Sequence, residues 1–341
     1  MPQLVQFTES LLETHLPVDV RTPLEYEEDH LPGAVNVPLL YNEERVEIGT
    51  LYKQTGPHEA RIRGLELTAS RFPAMVSQIA AAAKGRPILV YCWRGGLRSR
   101  TTTTILELTG YPAVQLAGGY KAFRNRVGEY FTPFTPPAPL VVIHGMTGIG
   151  KTTFLDLLKI RGHSVIDLEG LACHRGSAFG SLGLSQDHLT QKCFETTLWE
   201  TFRKSPSGKP IIIEGESRRI GKLFLPGNLH EVMRDSIKVW CTASMETRVK
   251  RLIEEYGKPE YQQGMADALG RIIKKLGGDN HRELLEHLER WELEPFMRGL
   301  MERYYDRNYY RTKEWTEDFT LSFENLDAAA DELERQLDSR F

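Results

Sequence analysis

Apolar residues along this chain come in short continuous runs separated by stretches of helical spacing. Pro87–Tyr91, Leu140–His144, Ser164–Asp167, Ile211–Glu214 and Ile237–Cys241 each read as a buried strand, as do the shorter Val18–Val20, Ala34–Val37 and Ala113–Leu116. Helical patterns lie between them, over about Leu67–Ala83, from the Cys92 loop to Gly110, and from Lys151 to Leu158. Strands that alternate with helices predict an α/β fold, with parallel sheets covered on their faces. From about Thr247 to Tyr310 the pattern is helical and highly charged. Thr132–Pro139 holds four prolines in eight residues, which suits neither a helix nor a central strand and reads as a stiff connector. The predicted organisation is therefore a domain over 1–131, a linker over 132–139 and a second domain over 140–341.

Composition narrows the class. Of 341 residues, 40% are hydrophobic and 26% charged, with a formal net charge of −3, which excludes a disordered tail, a coiled coil and a globally basic nucleic-acid coat. The near-zero total conceals an asymmetry. The first fifty residues carry two basic and ten acidic groups, a net −8, whereas Ala60–Arg126 carries eleven basic and two acidic groups, a net +9. A basic stretch of this kind suits an anionic substrate or a phosphate backbone. The N-terminus is acidic (Glu9, Glu13, Asp19) and no apolar run approaches the ~18 residues of a membrane helix, so a soluble cytoplasmic protein with no membrane contact is expected. Four scattered cysteines with no CxxC pair indicate neither a disulfide framework nor a zinc ribbon.

The first candidate site is Cys92–Arg100, between a buried strand and a helix, where open α/β sheets build their sites. Gly95 and Gly96 allow a tight loop, Arg94 and Arg98 add positive charge, and the following helix contributes its positive end. Together these favour a nucleophilic thiolate at Cys92 and a cup for a tetrahedral anion. With Asp19, Arg21, Glu25, Tyr26, the run His30–Ala34, Asn36, Pro38 and Gly118–Gly119, this loop makes the first domain resemble a rhodanese (sulfurtransferase) domain. The loop has five residues between Cys92 and Arg98, one more than common rhodanese loops, and so also fits the loop of cysteine phosphatases. Chalcogen transfer and phosphate-ester hydrolysis both stay open on loop length.

The second candidate site is Gly145–Thr152, which matches G-x-x-x-x-G-K-[ST] between an apolar strand and a helix, the setting of a P-loop. Gly145, Thr147, Gly148 and Gly150 would wrap a di- or triphosphate, Lys151 would neutralise it, and the Thr152 hydroxyl suits Mg2+ coordination. The second domain is thus P-loop NTPase-like, with a helical C-terminal extension. Glu214, at the end of an apolar strand, is the candidate second acid, with Asp167 and Glu169 as alternatives. Asp167–Gly180 is a polar, Gly-rich loop in which Arg175 and Ser177 are candidate anion or substrate contacts. Cys173, His174, His188 and Cys193 fit no standard zinc spacing. Over Arg271–Arg311 basic residues interleave with Trp291, Phe296, Tyr304, Tyr305, Tyr309 and Tyr310, a pattern that suits RNA and equally an amphipathic bundle; Leu284, Leu285 and Leu288 read as core.

The pairing of a thiolate domain with a P-loop domain resembles the tRNA 2-selenouridine synthase family. The resemblance rests on Cys92–Gly96 with Arg98 and Ser99, Gly145–Thr152, Asp167–Gly180 and Glu214–Gly221. It implies action on wobble 2-thiouridine in tRNA, with geranyl diphosphate and selenophosphate as co-substrates. A geranyl group is first transferred to sulfur, and the S-geranyl group is then displaced by selenium. It further implies that the P-loop holds the diphosphate, that Arg94 and Arg98 bind the phosphate end of the selenium donor, and that Cys92 carries selenium as S-selanylcysteine. Two other readings remain at this stage: a P-loop kinase fused to a sulfurtransferase or cysteine phosphatase for small metabolites, and a non-catalytic RNA-binding module.

Overall fold

The run Ile88–Tyr91 is buried along its whole length, as a strand covered on both faces of a parallel sheet must be. The computed structural model describes residues 2–206, 208–313 and 315–341, leaving aside the side chains of residues 310 and 312. It divides into two compact units, one of Met1–Tyr130 with Thr190–Glu200, the other of Phe131–Leu189 with Thr201–Phe341.

In the first unit β1 (Leu4–Val5), β2 (Leu16–Asp19), β3 (Val35–Asn36), β4 (Ile88–Tyr91) and β5 (Ala113–Leu116) form a parallel sheet in the order β1-β5-β4-β2-β3. Val18, Val20, Ile88 and Val90 pack under Met75 and Ile79 of the helix Phe72–Ala83. The helical pattern expected over Leu67–Ala83 is not one helix. The helix Pro57–Thr68 gives way to a 3₁₀ turn at Ala69–Arg71 before Phe72–Ala83 begins. Pro73 explains the break, because it lacks an N–H and its ring belongs in the first turn of a new helix.

Residues 190–200, read from the sequence as part of the second domain, lie in the first unit. They form most of the helix Gln191–Lys204. Thr196 donates to Asp29 at 2.9 Å, Arg124 donates to Thr196 at 2.8 Å, and Trp199 meets Phe123 edge-on with ring centroids 5.5 Å apart. Asp29 is buried and also accepts from the Tyr120 hydroxyl at 2.8 Å. These bonds satisfy a carboxylate whose burial is otherwise expensive; burial still pushes its carboxyl above the ordinary value.

In the second unit β6 (Leu140–Gly145), β7 (Ser164–Ile166), β8 (Ile211–Glu214), β11 (Ile237–Thr242) and β12 (Phe319–Ser322) form a parallel sheet in the order β12-β11-β6-β8-β7, while β9 (Arg219–Ile220) and β10 (Leu223–Phe224) make a separate antiparallel pair. Phe131 and Phe134, from the proline-rich stretch and its flank, are buried in this unit against Phe202. The helices Met245–Tyr256, Gln262–Leu276, Gly278–Glu289 and Leu293–Leu300 share a second core that takes in Leu284, Leu288 and Phe296, with Leu285, Trp291, Tyr304 and Tyr305 packed against it. The aromatics of this region are therefore mostly bundle core rather than a stacking platform, and Arg298 and Arg303 pair with Glu246 and Glu283. The side chain of Tyr310 lies outside the described residues. Among the described residues no helix is long and apolar enough to cross a membrane.

Candidate functional site

β4 ends at Tyr91 and delivers Cys92 to a loop that closes at Gly96, the N-cap of the helix Leu97–Leu108. The Sγ of Cys92 lies 3.2 Å from the Gly96 N, which donates to it, and 3.2 Å from the Ser99 Oγ. Buried Gln115 on β5 braces the turn from below, its Nε2 donating to the Gly95 carbonyl at 2.8 Å and to Ser99 Oγ at 3.0 Å. The loop is also clasped from the next helix: Tyr120 N donates to the Cys92 carbonyl at 2.8 Å and Lys121 N to the Trp93 carbonyl at 3.0 Å. That approach requires Gly119, since a Cβ there would sit 2.2 Å from the Cys92 carbonyl oxygen and 2.5 Å from Gly95 N. Beneath lies a buried pair in which Arg21 forks onto Asp19 and faces the Tyr120 ring, 3.9 Å from its centroid.

A cavity of about 460 Å3 opens over Cys92, lined by Arg45, Trp93, Arg94, Gly96, Leu97 and Arg98. Arg94 is exposed and has no ion-pair partner among the described residues. Arg98 is different: both its terminal nitrogens donate to Glu25, at 2.6 and 3.2 Å, so its charge is fixed in place and partly countered. The sequence asymmetry behaves the same way. Glu9 pairs with Arg126, Glu44 with Arg71 and Glu47 with Arg63, so acidic and basic stretches partly cancel in space. What remains local to the thiol is Arg94 together with Arg45, which comes from the acidic segment and carries no motif that would have found it.

The P-loop lies between β6 and the helix Lys151–Ile160, with Gly148 and Gly150 at positive φ. A Cβ on Gly148 would lie 2.8 Å from Leu252. Two arginines of the helix Met245–Tyr256 brace the loop: Arg248 donates to the Thr147 carbonyl at 2.9 Å while forking onto Asp306, and Arg251 donates to the Ile149 carbonyl at 2.6 Å. Gly145, Thr147, Gly148, Gly150, Lys151 and Thr152 all line a cavity of about 990 Å3, joined by Arg175, Ser177, Glu169 and Glu216. Arg175 is turned toward Glu255 and donates to the Leu182 carbonyl at 2.7 Å.

Glu214 stands behind this wall, fully buried at the end of β8. One of its oxygens accepts from Glu169 N at 3.0 Å; the other has no hydrogen-bond partner and lies 3.9 Å from Lys151 Nζ. Glu216 is 3.7 Å from the same ammonium. Glu169, Glu214 and Glu216 bring carboxylate oxygens within 4.8 Å of one another. Asp167 is used elsewhere, capping the helix Leu168–Leu171 through Gly170 N at 2.8 Å. Gly176 fits between two of these acids, because a Cβ would come 2.6 Å from both Glu169 and Glu216. An orphaned buried carboxylate oxygen beside two further carboxylates is the donor set of a hard divalent cation, and Thr152 offers a hydroxyl on the same cavity.

Burial raises the carboxyls of Glu169 and Glu214, and each raises the other's or is raised by Glu216. Burial pulls the Lys151 ammonium down, but Glu216, Glu214 and Glu169 more than offset it and hold it above its ordinary value. Burial, helped by Lys151, Lys238 and Lys313, lowers His144 to about 3, so its imidazole is neutral near pH 7. A carboxyl raised on folding binds protons that the unfolded chain has lost, so stability falls as pH climbs above 4.5. The expected slope is up to about 1.4 kcal/mol per pH unit for each proton held. Urea midpoints of the ligand-free protein should fall between pH 7 and pH 9, and Glu214→Gln should flatten that fall. Equal slopes in the two proteins would remove Glu214 from this account.

Known proteins can now be set beside this geometry. Residues 6–126 match the family model for the rhodanese-like domain, and residues 138–339 match that for the tRNA 2-selenouridine synthase AAA domain. The chain is 33% identical over 328 residues to a protein of Pseudomonas syringae pv. syringae named tRNA 2-selenouridine synthase, covering 87% of this chain and 88% of that one. A protein of the same name from Hydrogenovibrio crunogenus is 32% identical over 368 residues, covering 98% and 99%. One from Nitrosomonas europaea is 34% identical over 311 residues, covering 80% and 79%.

Proposed function

The chain belongs to the tRNA 2-selenouridine synthase family, and we propose that it converts wobble 2-thiouridine of tRNA to 2-selenouridine through S-geranyl-2-thiouridine, consuming geranyl diphosphate and selenophosphate. One observation carries the choice of the first co-substrate. The P-loop cavity combines phosphate-binding backbone and Lys151 with walls of Leu184, Met233, Tyr256, Tyr309 and Trp315. That is a surface for a diphosphate head with an apolar tail.

In the first step the base's sulfur attacks C1 of the geranyl group, the C1–O bond breaks, and its electron pair leaves on pyrophosphate. Gly148 and Gly150 let the loop backbone approach the diphosphate, and Lys151 takes up charge that grows as the leaving group departs. Mg2+, held by Glu169, Glu216 and Thr152 with Glu214 behind them, would add charge neutralisation of the diphosphate. S-alkylation turns a poor leaving group into a thiolate. In the second step reduced selenium adds at C2 of the base and geranylthiol departs, with the Cys92 cup, Arg94 and Arg98 acting on the selenium donor.

Omission experiments on a 2-thiouridine tRNA, read by nucleoside mass spectrometry, test the order of events. Without selenophosphate the product should be S-geranyl-2-thiouridine; without geranyl diphosphate the base should be unchanged. Formation of 2-selenouridine in the absence of geranyl diphosphate would overturn the proposed route.

A further inference from the structure

We propose that Cys92 attacks the phosphorus of selenophosphate rather than its selenium, forming S-phosphocysteine and releasing hydroselenide. This deepens the reading above and rests on selenophosphate being the donor.

The electron count separates the two modes of attack. If the thiolate took selenium, the P–Se pair would stay on phosphorus and the product would be phosphite. If the thiolate takes phosphorus, an S–P bond forms, the P–Se bond breaks and its pair leaves on selenium. The hydroselenide so formed is already the reduced nucleophile that addition at C2 needs. Water then attacks phosphorus, the S–P pair returns to Cys92, and phosphate leaves. No oxidant or reductant enters.

The cup is built for that sequence. Five residues separate Cys92 from Arg98, and Gly96 N stands 3.2 Å from the sulfur at the N-terminus of a twelve-residue helix. Glu25 fixes Arg98 through two of its five N–H groups, leaving donors for phosphate oxygens. The cavity-lining residues include no carboxylate among those described, so nothing there can protonate a departing alkoxide. A phosphate monoester would be poorly served, whereas hydroselenide departs as a stable anion and needs no acid. Ser99 completes the device. Its oxygen accepts from Gln115, so its own proton is directed to the Gly96 carbonyl or to the Cys92 sulfur, each 3.2 Å away. When sulfur is expelled from phosphorus, the Ser99 O–H and Gly96 N–H receive its charge. Ser99 is thus a positioning residue for breakdown of the phosphocysteine.

The test uses the full chain, selenophosphate and anaerobic buffer, without tRNA, followed by acid quench. The Cys92 peptide should gain the mass of a phosphoryl group without a selenium isotope pattern, and 31P NMR should show phosphate. Ser99→Ala should accumulate the adduct, with breakdown about ten- to a hundredfold slower, as loss of a hydrogen bond to a charged sulfur predicts. The wild-type quench carries the test should Ser99→Ala fold poorly. Selenium on the Cys92 peptide, phosphite as product, or phosphate with no adduct in either protein would each overturn the inference and leave the proposed route standing. Failure to consume selenophosphate at all would overturn both.

Discussion

Lys151→Ala is expected to leave the wobble base as 2-thiouridine, with neither the S-geranyl intermediate nor 2-selenouridine formed. Lys151 is the cation that faces the P-loop cavity from the first turn of its helix, held between Glu214 at 3.9 Å and Glu216 at 3.7 Å. Removing it deletes a charge that acts where pyrophosphate departs, a loss of about 10²–10³ in rate. It also leaves three neighbouring carboxylates facing a diphosphate without their counter-ion, so binding of inorganic pyrophosphate should weaken as well. Lys151→Arg should not restore the rate, because a planar fork does not replace a point charge on a thin stem at so enclosed a position. The decisive control supplies tRNA that already carries S-geranyl-2-thiouridine. Lys151→Ala should then form 2-selenouridine at the wild-type rate. If it fails there too, the division of labour between the P-loop and Cys92 is wrong.

How much of this was legible in the sequence depended on whether a feature is local. The P-loop reads directly, because its eight residues are contiguous and the adjoining strand and helix share the same stretch of chain. The Cys92 loop reads for the same reason. Arg45, Glu25 and Gln115 do not, since each reaches the cup from a distant element and belongs to no motif. Glu216 sits two residues from Glu214 and could have been noticed, but only the fold turns Glu169, Glu214 and Glu216 toward one point. Charge counting along the chain overstated the basic face, because pairs such as Glu9 with Arg126 form across more than a hundred residues. Residues 190–200 misled for a similar reason: their amphipathic pattern predicts burial but not against which sheet, and Trp199 buries against Phe123. The aromatic residues of 271–311 show the limit of composition, since Phe296 and Tyr305 are spaced for a bundle core as well as for stacking.

Cys92→Ala should stop selenation while S-geranyl-2-thiouridine accumulates, the reverse of the Lys151 result. The substitution is mild for the fold. Cys92 is 3% exposed in a cluster with Val18, Val20 and Val90, and loss of one buried sulfur costs about 1 kcal/mol. A collapse of activity with little change in melting temperature therefore reports chemistry. Cys92→Ser separates packing from nucleophilicity further, because it keeps an atom at the bottom of the cup and loses the thiolate. It should block selenation as completely as alanine does. Both variants should still bind the anion that Arg94 and Arg98 recognise, so inorganic phosphate or unreacted selenophosphate should remain able to occupy the cup. Neither should consume selenophosphate, with or without tRNA. Normal selenation by either variant would show that reduced selenium reaches C2 without passing through this thiol, and the cup would then be a binding site rather than a reacting one.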